Sequence, residues 1–374
     1  MTRDQFARAA DATALPERLD AFTRFLGTLA IPERDAETKP PRDDVRAIEG
    51  WIGRALGETD FLLECLELDF LVRESLGAAR PSLLPFHTVS DLGVLMALAY
   101  WAPGREAQPH EHANWTVTAV VHNELAVDTF DWESARRDRR LVPKRTFAAP
   151  RGRAGHIYDP CVHNPRNPTG VWSISVHIFG PPRTSLLGAG EPIAGLEPQS
   201  DGASEGRTAP LAAWRRERER RGRHHAMIEA LRHGKGERAL AILKRVYAAG
   251  DVETRLEAAK CIRIFDPGLG DPLLARAESE LAAPSTWLMK AHPIALHVEI
   301  RGARAELVTS DAPSAAVLRI GASAARALAF VAETDSFPVR DIAGDLELDD
   351  RVALARALVS TGLFQPLAPA SRVQ

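Results

Sequence analysis

The sequence predicts an α+β protein in which a central antiparallel β-barrel lies between helical flanks. Apolar residues recur at helical spacing before residue 78 and again after residue 210. Residues 80–185 instead form short alternating runs separated by Pro/Gly turns, which is typical of strands. A stretch without periodicity, rich in Gly, Ala, Ser, Pro and Glu, predicts a linker at 186–209. We therefore expect five parts: 1–78, 79–185, 186–209, 210–288 and 289–374.

The N-terminal part, residues 1–78, is predicted to be helical. Val45, Ile48 and Ile52 recur three to four residues apart, so they lie on one face of a helix. A similar apolar stripe precedes them and another follows. These stripes are typical of a packed core and not of a cofactor site.

Residues 79–185 are predicted to form the barrel. Turns are expected at Pro103-Gly104, at Pro150–Gly152 and at Pro165–Gly170. Residues 116–128 are rich in β-branched side chains and predict two strands joined by a turn at Asn123-Glu124. Two stacked antiparallel sheets with a site in the barrel mouth would fit this pattern.

The part from 210 to 288 is predicted to fold as helical hairpins. It begins with a dense charge run, Arg215–His225, in which Glu and Arg alternate. Such a run is typical of a solvated helix face with internal ion pairs. No Phe, Tyr or Trp interrupts the run, so we do not expect nucleic-acid binding.

The C-terminal part, 289–374, is predicted to be a small α+β module that resembles a winged-helix unit. Two strands are expected around the turn Arg301-Gly302. Helices are expected at 322–331, 339–346 and 350–360. Because the module lacks a strong basic stripe, we expect a role in protein contacts or as a lid over the barrel, and not in DNA binding.

Composition excludes several classes of protein. The chain has 374 residues, a net charge of −3 and no apolar run near 18 residues, so neither a membrane span nor a general attraction to nucleic acid is expected. Its cysteines are Cys65, Cys161 and Cys261. Cysteines so few, and odd in number, argue against a disulfide framework and predict a cytoplasmic protein.

The strongest signal of chemistry is the pair His110 and His112. On a strand, residues two apart point to the same face, while Glu111 points to the other. Two neutral imidazoles on one face commonly supply two of the ligands of a metal site. The sequence therefore predicts a metal centre with these two ligands.

The surrounding frame supplies a candidate third ligand. Gly104 stands six positions before His110, and His163 stands four positions before Asn167. Both spacings resemble the two sequence motifs of the cupin barrel, and a predicted strand at 171–179 follows the second. His163 is therefore the expected third ligand, and His156 is its rival because it follows Gly155 in another plausible strand.

Over about residues 80–185 the chain resembles the cysteine dioxygenase family of thiol dioxygenases, which are cupins. The matching residues are Tyr100-Trp101, Gly104, His110, His112, Phe130-Asp131-Trp132, His163, Asn167 and the run Ser175–Pro182. The resemblance implies a cupin-type double-stranded β-barrel in which His110, His112 and His163 hold one Fe(II). It also implies that a small thiol is oxidised at sulfur by O2, with Ser175, His177 and Phe179 beside the metal.

Three departures from the family pattern widen the choice of substrate. Phe179 stands where the family has a tyrosine, and Thr116 stands near the position of the cysteine that cross-links to it. No arginine is well placed upstream of Trp101 to bind a carboxylate; Arg80, Arg73 and His87 are the candidates. An iron cupin oxygenase acting on another small molecule, or a non-catalytic metal-binding scaffold, is therefore kept as an alternative. Zn(II) also accepts three histidines.

Overall fold

The computed structural model places the chain in two units, Met1–Pro198 with Gly222–Arg245, and Gln199–Arg221 with Val246–Gln374. The structure describes residues 16–33, 38–57, 59–76, 84–112, 114–133, 140–159, 161–181, 191–192, 209–232, 234, 236–310 and 312–367. The predicted substrate residue Arg80 and almost all of the predicted linker lie outside these ranges.

Three helices open the described part of the first unit: α1 (Glu17–Leu26), α2 (Arg42–Ala55) and α3 (Thr59–Leu76). The predicted stripe of Val45, Ile48 and Ile52 is buried on one face of α2. Aromatic rings join the helices, because Trp51 lies 4.7 Å from Phe22 and 5.4 Å from Phe61 between ring centroids. The helical character predicted for this part is therefore seen in the described residues.

The described strands of the first unit form two five-stranded sheets of antiparallel pairs. In spatial order the first sheet contains β1 (Leu84–Val89), β2 (Val94–Trp101), β9 (Ser173–Phe179), β4 (Thr116–His122) and β7 (Ala154–Ile157). The second contains β10 (Glu191–Pro192), β3 (His110–Glu111), β8 (Val162–Arg166), β5 (Glu124–Trp132) and β6 (Leu141–Pro150). The turn between β4 and β5 falls at Asn123, whose φ of 58° is the left-handed conformation that Asn tolerates.

Three expectations need correction here. The two stacked sheets of the predicted double-stranded β-barrel are present but do not join into a closed barrel, because the described residues of the edge strands β6 and β7 do not pair with each other. The strand expected to carry both His110 and His112 ends at Glu111. The predicted linker contains β10, which pairs with β3. Pairing between segments distant in sequence, which local patterns do not reveal, explains the first and third differences.

The helices from 209 to 279 are α4 (Ala209–Leu231), α5 (Glu237–Ala249), α6 (Val252–Phe265) and α7 (Pro267–Ser279). In the second unit, the carboxylates of Asp251 and Asp266 accept from the first-turn N–H groups of α6 and α7 and cap them. The two helices pack closely at Gly270, where an added Cβ would lie 2.3 Å from the Cα of Arg263. This contact requires glycine.

The described residues of the C-terminal part form two three-stranded sheets and two α-helices. The sheets consist of β15 (Ser336–Pro338), β11 (Trp287–Lys290) and β16 (Phe364–Pro366), and of β12 (Leu296–Arg301), β13 (Arg304–Thr309) and β14 (Ala312–Gly321). The helices are α8 (Ala325–Glu333) and α9 (Leu348–Ser360). The predicted turn at Arg301-Gly302 is present, with Gly302 at φ 63°. The helix predicted at 339–346 is only a 3-10 turn, Val339–Asp341, and β14 was missed.

Among the helices that the structure describes, none combines the length and the apolar character needed to cross a lipid bilayer.

Candidate metal centre

The two sheets of the first unit face each other, and their facing surfaces form a concave interior. At its base, Val120 of one sheet packs against Leu125 and Ala149 of the other, with Trp101 beside them. Side chains alternate along a strand, so Ser175, His177 and Phe179 of β9 share one face. The Phe179 ring stacks on His177 and lies 5.7 Å from the His112 ring between centroids, which places this face of β9 next to the histidines. The interior therefore receives the odd-numbered side chains of β9.

Three imidazoles meet in this interior. His110 and His163 are directly opposite each other in the ladder between β3 and β8, and their ring centroids are 4.3 Å apart. The His112 ring lies 5.2 Å from His110 and 5.0 Å from His163. One ligand atom from each of the three lies within 4.8 Å of the others. Among the described residues, this is the group of metal-binding side chains that the fold brings together.

Backbone carbonyls orient two of these rings. His110 Nδ1 lies 2.7 Å from the carbonyl oxygen of Gln108, and His163 Nδ1 lies 2.9 Å from that of Cys161. A carbonyl only accepts, so each Nδ1 carries the proton and donates. The Nε2 atom of each ring is thus left with its lone pair available. Imidazoles that bind metals are commonly held in this way through their second nitrogen.

The interior keeps these imidazoles neutral. Burial lowers the pKa of His163 to about 4, with a further contribution from His110. Burial lowers the pKa of His112 to about 2, and the three neighbouring imidazoles lower it further. Burial also lowers the pKa of His110, opposed by the carbonyl of Gln108. Metals bind neutral imidazole, so at pH 7 no proton has to leave before binding.

The donor set fits a catalytic transition metal better than a hard cation. Imidazole nitrogen suits Fe, Zn, Cu and Ni, whereas Ca and Mg prefer oxygen. Three protein ligands leave coordination positions open, which is the pattern of a catalytic site and not of a closed structural one. The residues present therefore fit an Fe(II) ion, and they fit Zn(II) equally well.

A hydrogen-bonded chain crosses the first sheet beside the histidines. Trp101 donates its Nε1–H to Ser175 Oγ at 2.9 Å, and Ser175 Oγ lies 2.8 Å from His177 Nε2. His177 Nδ1 lies 3.1 Å from Thr118 Oγ1. Burial lowers the pKa of His177 to about 3, so it too is neutral. Both of its ring nitrogens are engaged within the sheet.

Phe179 closes one side of the site with an apolar ring. It stacks on His177 at 5.6 Å between centroids and 8° between planes, and lies 5.7 Å from the His112 ring. It is buried together with Leu95 and Ala97. Phe179 has no hydroxyl group, so this side of the site is apolar.

The rival ligand His156 lies elsewhere. It is paired with Val117 in the ladder between β7 and β4, one position away from the inward-facing Thr118. Its Nδ1 contacts Glu49 Oε2 of α2 at 2.5 Å. His156 therefore ties the outer face of the first sheet to a helix, and the structure brings His163, not His156, to His110 and His112.

The upstream candidates for binding a substrate carboxylate also lie on the outer face. Arg73 is buried and contacts both oxygens of Asp69 at 2.9 and 3.0 Å. His87 Nε2 lies 3.0 Å from Thr23 Oγ1 of α1. Both side chains are held by helices on the side away from the three histidines. Arg80 lies outside the described residues.

Sequence reasoning missed Thr118 as the second partner of His177. The signal that could have identified it is the alternation of Thr116 and Thr118 with apolar residues on a predicted strand. This alternation gives the strand one polar face, and that face lines the interior between the sheets. The pairing of Thr118 with His177 in the ladder between β4 and β9 follows from the fold and not from spacing.

Comparisons with known proteins add little beyond this geometry. No protein-family model matches the chain, and no curated protein matches it. Among solved structures, the oxalate decarboxylase of Bacillus subtilis, described with Mn(II) centres, is 17% identical, with 25% of this chain and 23% of that chain covered and a TM-score of 0.21. An oxalate oxidase is 22% identical, with coverages of 28% and 54% and a TM-score of 0.21.

A sugar phosphate isomerase from a cupin superfamily, from Silicibacter pomeroyi, is 12% identical, with coverages of 24% and 50% and a TM-score of 0.19. These neighbours are cupin-fold proteins. The chain spans only 23%, 54% and 50% of their lengths. TM-scores this low carry no argument, so the two-sheet arrangement rests on the strand ladders of this chain alone.

Proposed function

We propose that the protein is a cupin-type, mononuclear non-haem iron dioxygenase that oxidises the sulfur of a small thiol with O2. The observation that carries the proposal is the convergence of His110, His112 and His163, whose ligand atoms lie within 4.8 Å of one another. The motif resemblance to thiol dioxygenases supports iron and a thiol as the particular metal and substrate.

Fe(II) bound by three neutral imidazoles would keep its double positive charge and offer open positions to a thiolate and to O2. The residues of this chain prepare that site. The carbonyls of Gln108 and Cys161 accept from the Nδ1–H groups of His110 and His163, which fixes both tautomers. The depressed pKa values keep protons off the rings at neutral pH.

Ser175 and His177 act as positioning residues in this proposal. Trp101 and Thr118 hold the two ends of their hydrogen-bonded chain, so the imidazole of His177 keeps one orientation. That orientation also fixes Phe179, which stacks on it. Phe179 then excludes water from the side of His112, which would protect a reactive sulfur from side reactions.

An iron cupin oxygenase acting on another small molecule remains the second candidate. The observation that favours it is the outward placement of Arg73 and His87, which leaves neither to bind a carboxylate near the histidines. Roles for residues 289–374 as a lid or protein-binding module, and a cytoplasmic location, stay predictions.

Metal content and oxygen uptake test the proposal together. Wild type, His163→Ala and His156→Ala would be purified anaerobically and analysed for iron and zinc, and thiol-dependent oxygen uptake would follow. We expect about one iron per chain in wild type and in His156→Ala, with thiol-dependent uptake in both. We expect neither iron nor uptake in His163→Ala, because two imidazoles hold iron weakly. His156→Ala is the matched control, since it also removes a partly buried imidazole.

Other outcomes redirect the assignment. Iron without thiol-dependent uptake would favour an oxygenase with a different substrate. Zinc in place of iron would argue against O2 chemistry altogether. Iron retained by His163→Ala, or no metal in any of the three proteins, would contradict the three-histidine centre and favour a scaffold.

A further inference from the structure

The hydrogen-bonded chain beside the histidines has a direction, because its first member can only donate. The indole nitrogen of Trp101 carries an N–H and accepts nothing, so Ser175 Oγ is the acceptor at 2.9 Å. Ser175 still has its own hydroxyl proton to donate. Among the described residues, the acceptor within reach of that proton is His177 Nε2, at 2.8 Å. Ser175 therefore donates to His177.

Burial excludes the reverse arrangement of these protons. If His177 carried its proton on Nε2, that N–H would donate to Ser175 Oγ, and the hydroxyl proton of Ser175 would have no acceptor. The Ser175 side chain is 0% exposed, so solvent could not accept the proton either. A buried donor without an acceptor is costly, and native structures avoid it. The buried position of Ser175 thus leaves Nε2 of His177 unprotonated.

The chain therefore ends on an unused hydroxyl proton at Thr118. With Nε2 unprotonated, the ring proton of His177 lies on Nδ1, which donates to Thr118 Oγ1 at 3.1 Å. The O–H of Thr118 is then left over, and the described residues offer it no acceptor. Thr118 is partly exposed, unlike Ser175. Its proton can therefore be donated to a ligand.

Thr118 faces the interior that holds the three histidines. It pairs with His177 on one side and with Gly155 on the other, so the three residues share the concave face. Gly155 is exposed, and a Cβ built on it meets no atom within 4 Å, which leaves space beside the hydroxyl. From His177 the wall continues through Phe179, at 5.6 Å between centroids, to His112, at a further 5.7 Å. A ligand a few bonds long could contact both the histidines and Thr118.

We propose that Thr118 donates its hydroxyl proton to an uncharged oxygen of the substrate, such as a carbonyl or ether oxygen. An uncharged acceptor fits because His177 and Gly155, which flank Thr118, supply no positive charge. This inference rests on the proposed function for the identity of the reacting group, since it assumes a thiol at the histidines. It adds that the preferred thiols carry an oxygen acceptor a few bonds from sulfur, and it names the residue that selects them.

The position of the proton on His177 tests the first step on the full chain without added metal. Isotopically labelled histidine and proton–nitrogen correlation spectra would show which ring nitrogen is protonated, and His177→Gln would identify the signal. We expect the proton on Nδ1 in wild type and in Thr118→Val, because Ser175 donates to Nε2 in both. A protonated Nε2 in wild type would overturn the inference, since Ser175 would then not set the direction of the chain.

Matched thiols test the contact with the substrate on the iron-loaded full chain. Anaerobic calorimetry would compare 3-methoxypropane-1-thiol with pentane-1-thiol, which has a methylene group in place of the ether oxygen. In Thr118→Val we expect the ratio of the two dissociation constants to shift about fivefold against the ether, the effect of one neutral hydrogen bond. Thr118→Ser keeps the hydroxyl and should keep the wild-type ratio. Thr116→Val is the control, because it removes a buried hydroxyl from the same face of β4.

The outcomes of the two assays separate this inference from the proposed function. An unchanged ratio in Thr118→Val, an equal shift in Thr118→Ser or Thr116→Val, or binding of neither thiol by wild type would overturn the role of Thr118. A ratio that Thr118 controls, without thiol-dependent oxygen uptake, would leave the hydroxyl donor standing and remove the dioxygenase assignment. Oxygen uptake with an unchanged ratio in Thr118→Val would do the reverse.

Discussion

The two faces of the first sheet use polar residues in opposite ways. On the outer face each polar group has a local partner from a helix: His87 with Thr23, His156 with Glu49, and Tyr100 with Asp69. On the concave face, Ser175 and His177 bond within the sheet and face imidazoles that arrive from the opposite sheet. Burial alone therefore does not single out the candidate metal ligands among the histidines; convergence of several imidazoles does.

The largest expected effect on the outer face comes from Asp69. Asp69 and Arg73 are an ion pair with exposed fractions of 0% and 5%, and Tyr100 donates to Asp69 Oδ2 at 2.8 Å. Asp69→Asn would remove the carboxylate that pairs with the buried guanidinium, at a cost of about 3–5 kcal/mol in the free energy of unfolding. Urea titration measures this loss, and iron content should stay unchanged because the concave face is intact.

The exposed pair Asp43–Arg46 provides the control for that change. Its side chains are 89% and 59% exposed. Asp43→Asn should therefore alter the free energy of unfolding by less than about 1 kcal/mol. A loss as small in Asp69→Asn would mean that the outer face does not depend on its buried ion pair.

A smaller change in the free energy of unfolding is expected when His87 is protonated at low pH. Burial lowers its pKa to about 4, so the folded state resists protonation below the usual value of 6.5. Stability from the neutral ring is present above pH 6.5 and is lost as the pH falls towards 4, by about 2 kcal/mol between pH 7 and pH 5. His87→Gln should remove that share of the pH dependence in urea titrations. If the free energy of unfolding of the variant depends on pH as strongly as that of wild type, other groups cause the pH dependence.

An effect of similar size is expected from Ser175 on the concave face. Ser175→Ala would leave the Nε1–H of Trp101 and Nε2 of His177 without their partner, at a cost of about 1–3 kcal/mol. Ser175→Thr keeps a hydroxyl and serves as the control. Iron content should survive in both, while thiol-dependent oxygen uptake should fall only in Ser175→Ala. Equal uptake in the two variants would contradict a positioning role.

Local sequence patterns predicted the features that depend on near neighbours. Spacing singled out His110, His112 and His163, and the structure places them together, although metal binding by them is still a prediction. The β-branched run at 116–128 correctly indicated two strands with a turn at Asn123. These predictions succeeded because alternation and turn preference act over a few residues.

Features set by distant pairing were missed. β14 has the sequence of a weak strand, with Pro313 and several alanines, and its ladder with β13 is irregular at two points. The apolar spacing of Val339 and Ile342 imitated a helix, but Gly344 at φ 109° turns the chain away. The outward placement of Arg73 depends on how α3 packs on β2, which its position in the sequence does not reveal.

The brevity of β3 has a consequence for the order in which parts of the first unit open. β9 is bonded over nearly its whole length along both of its edges, to β2 and to β4. β3 consists of only two residues; it meets β8 at a single pair and the equally short β10 at two. Backbone amides near His110 should therefore exchange with solvent through local opening, long before those of β9, which require global unfolding. Binding of a metal by His110 and His163 would couple β3 to β8 and slow that exchange selectively, so amide exchange near residue 110 would report occupancy of the centre.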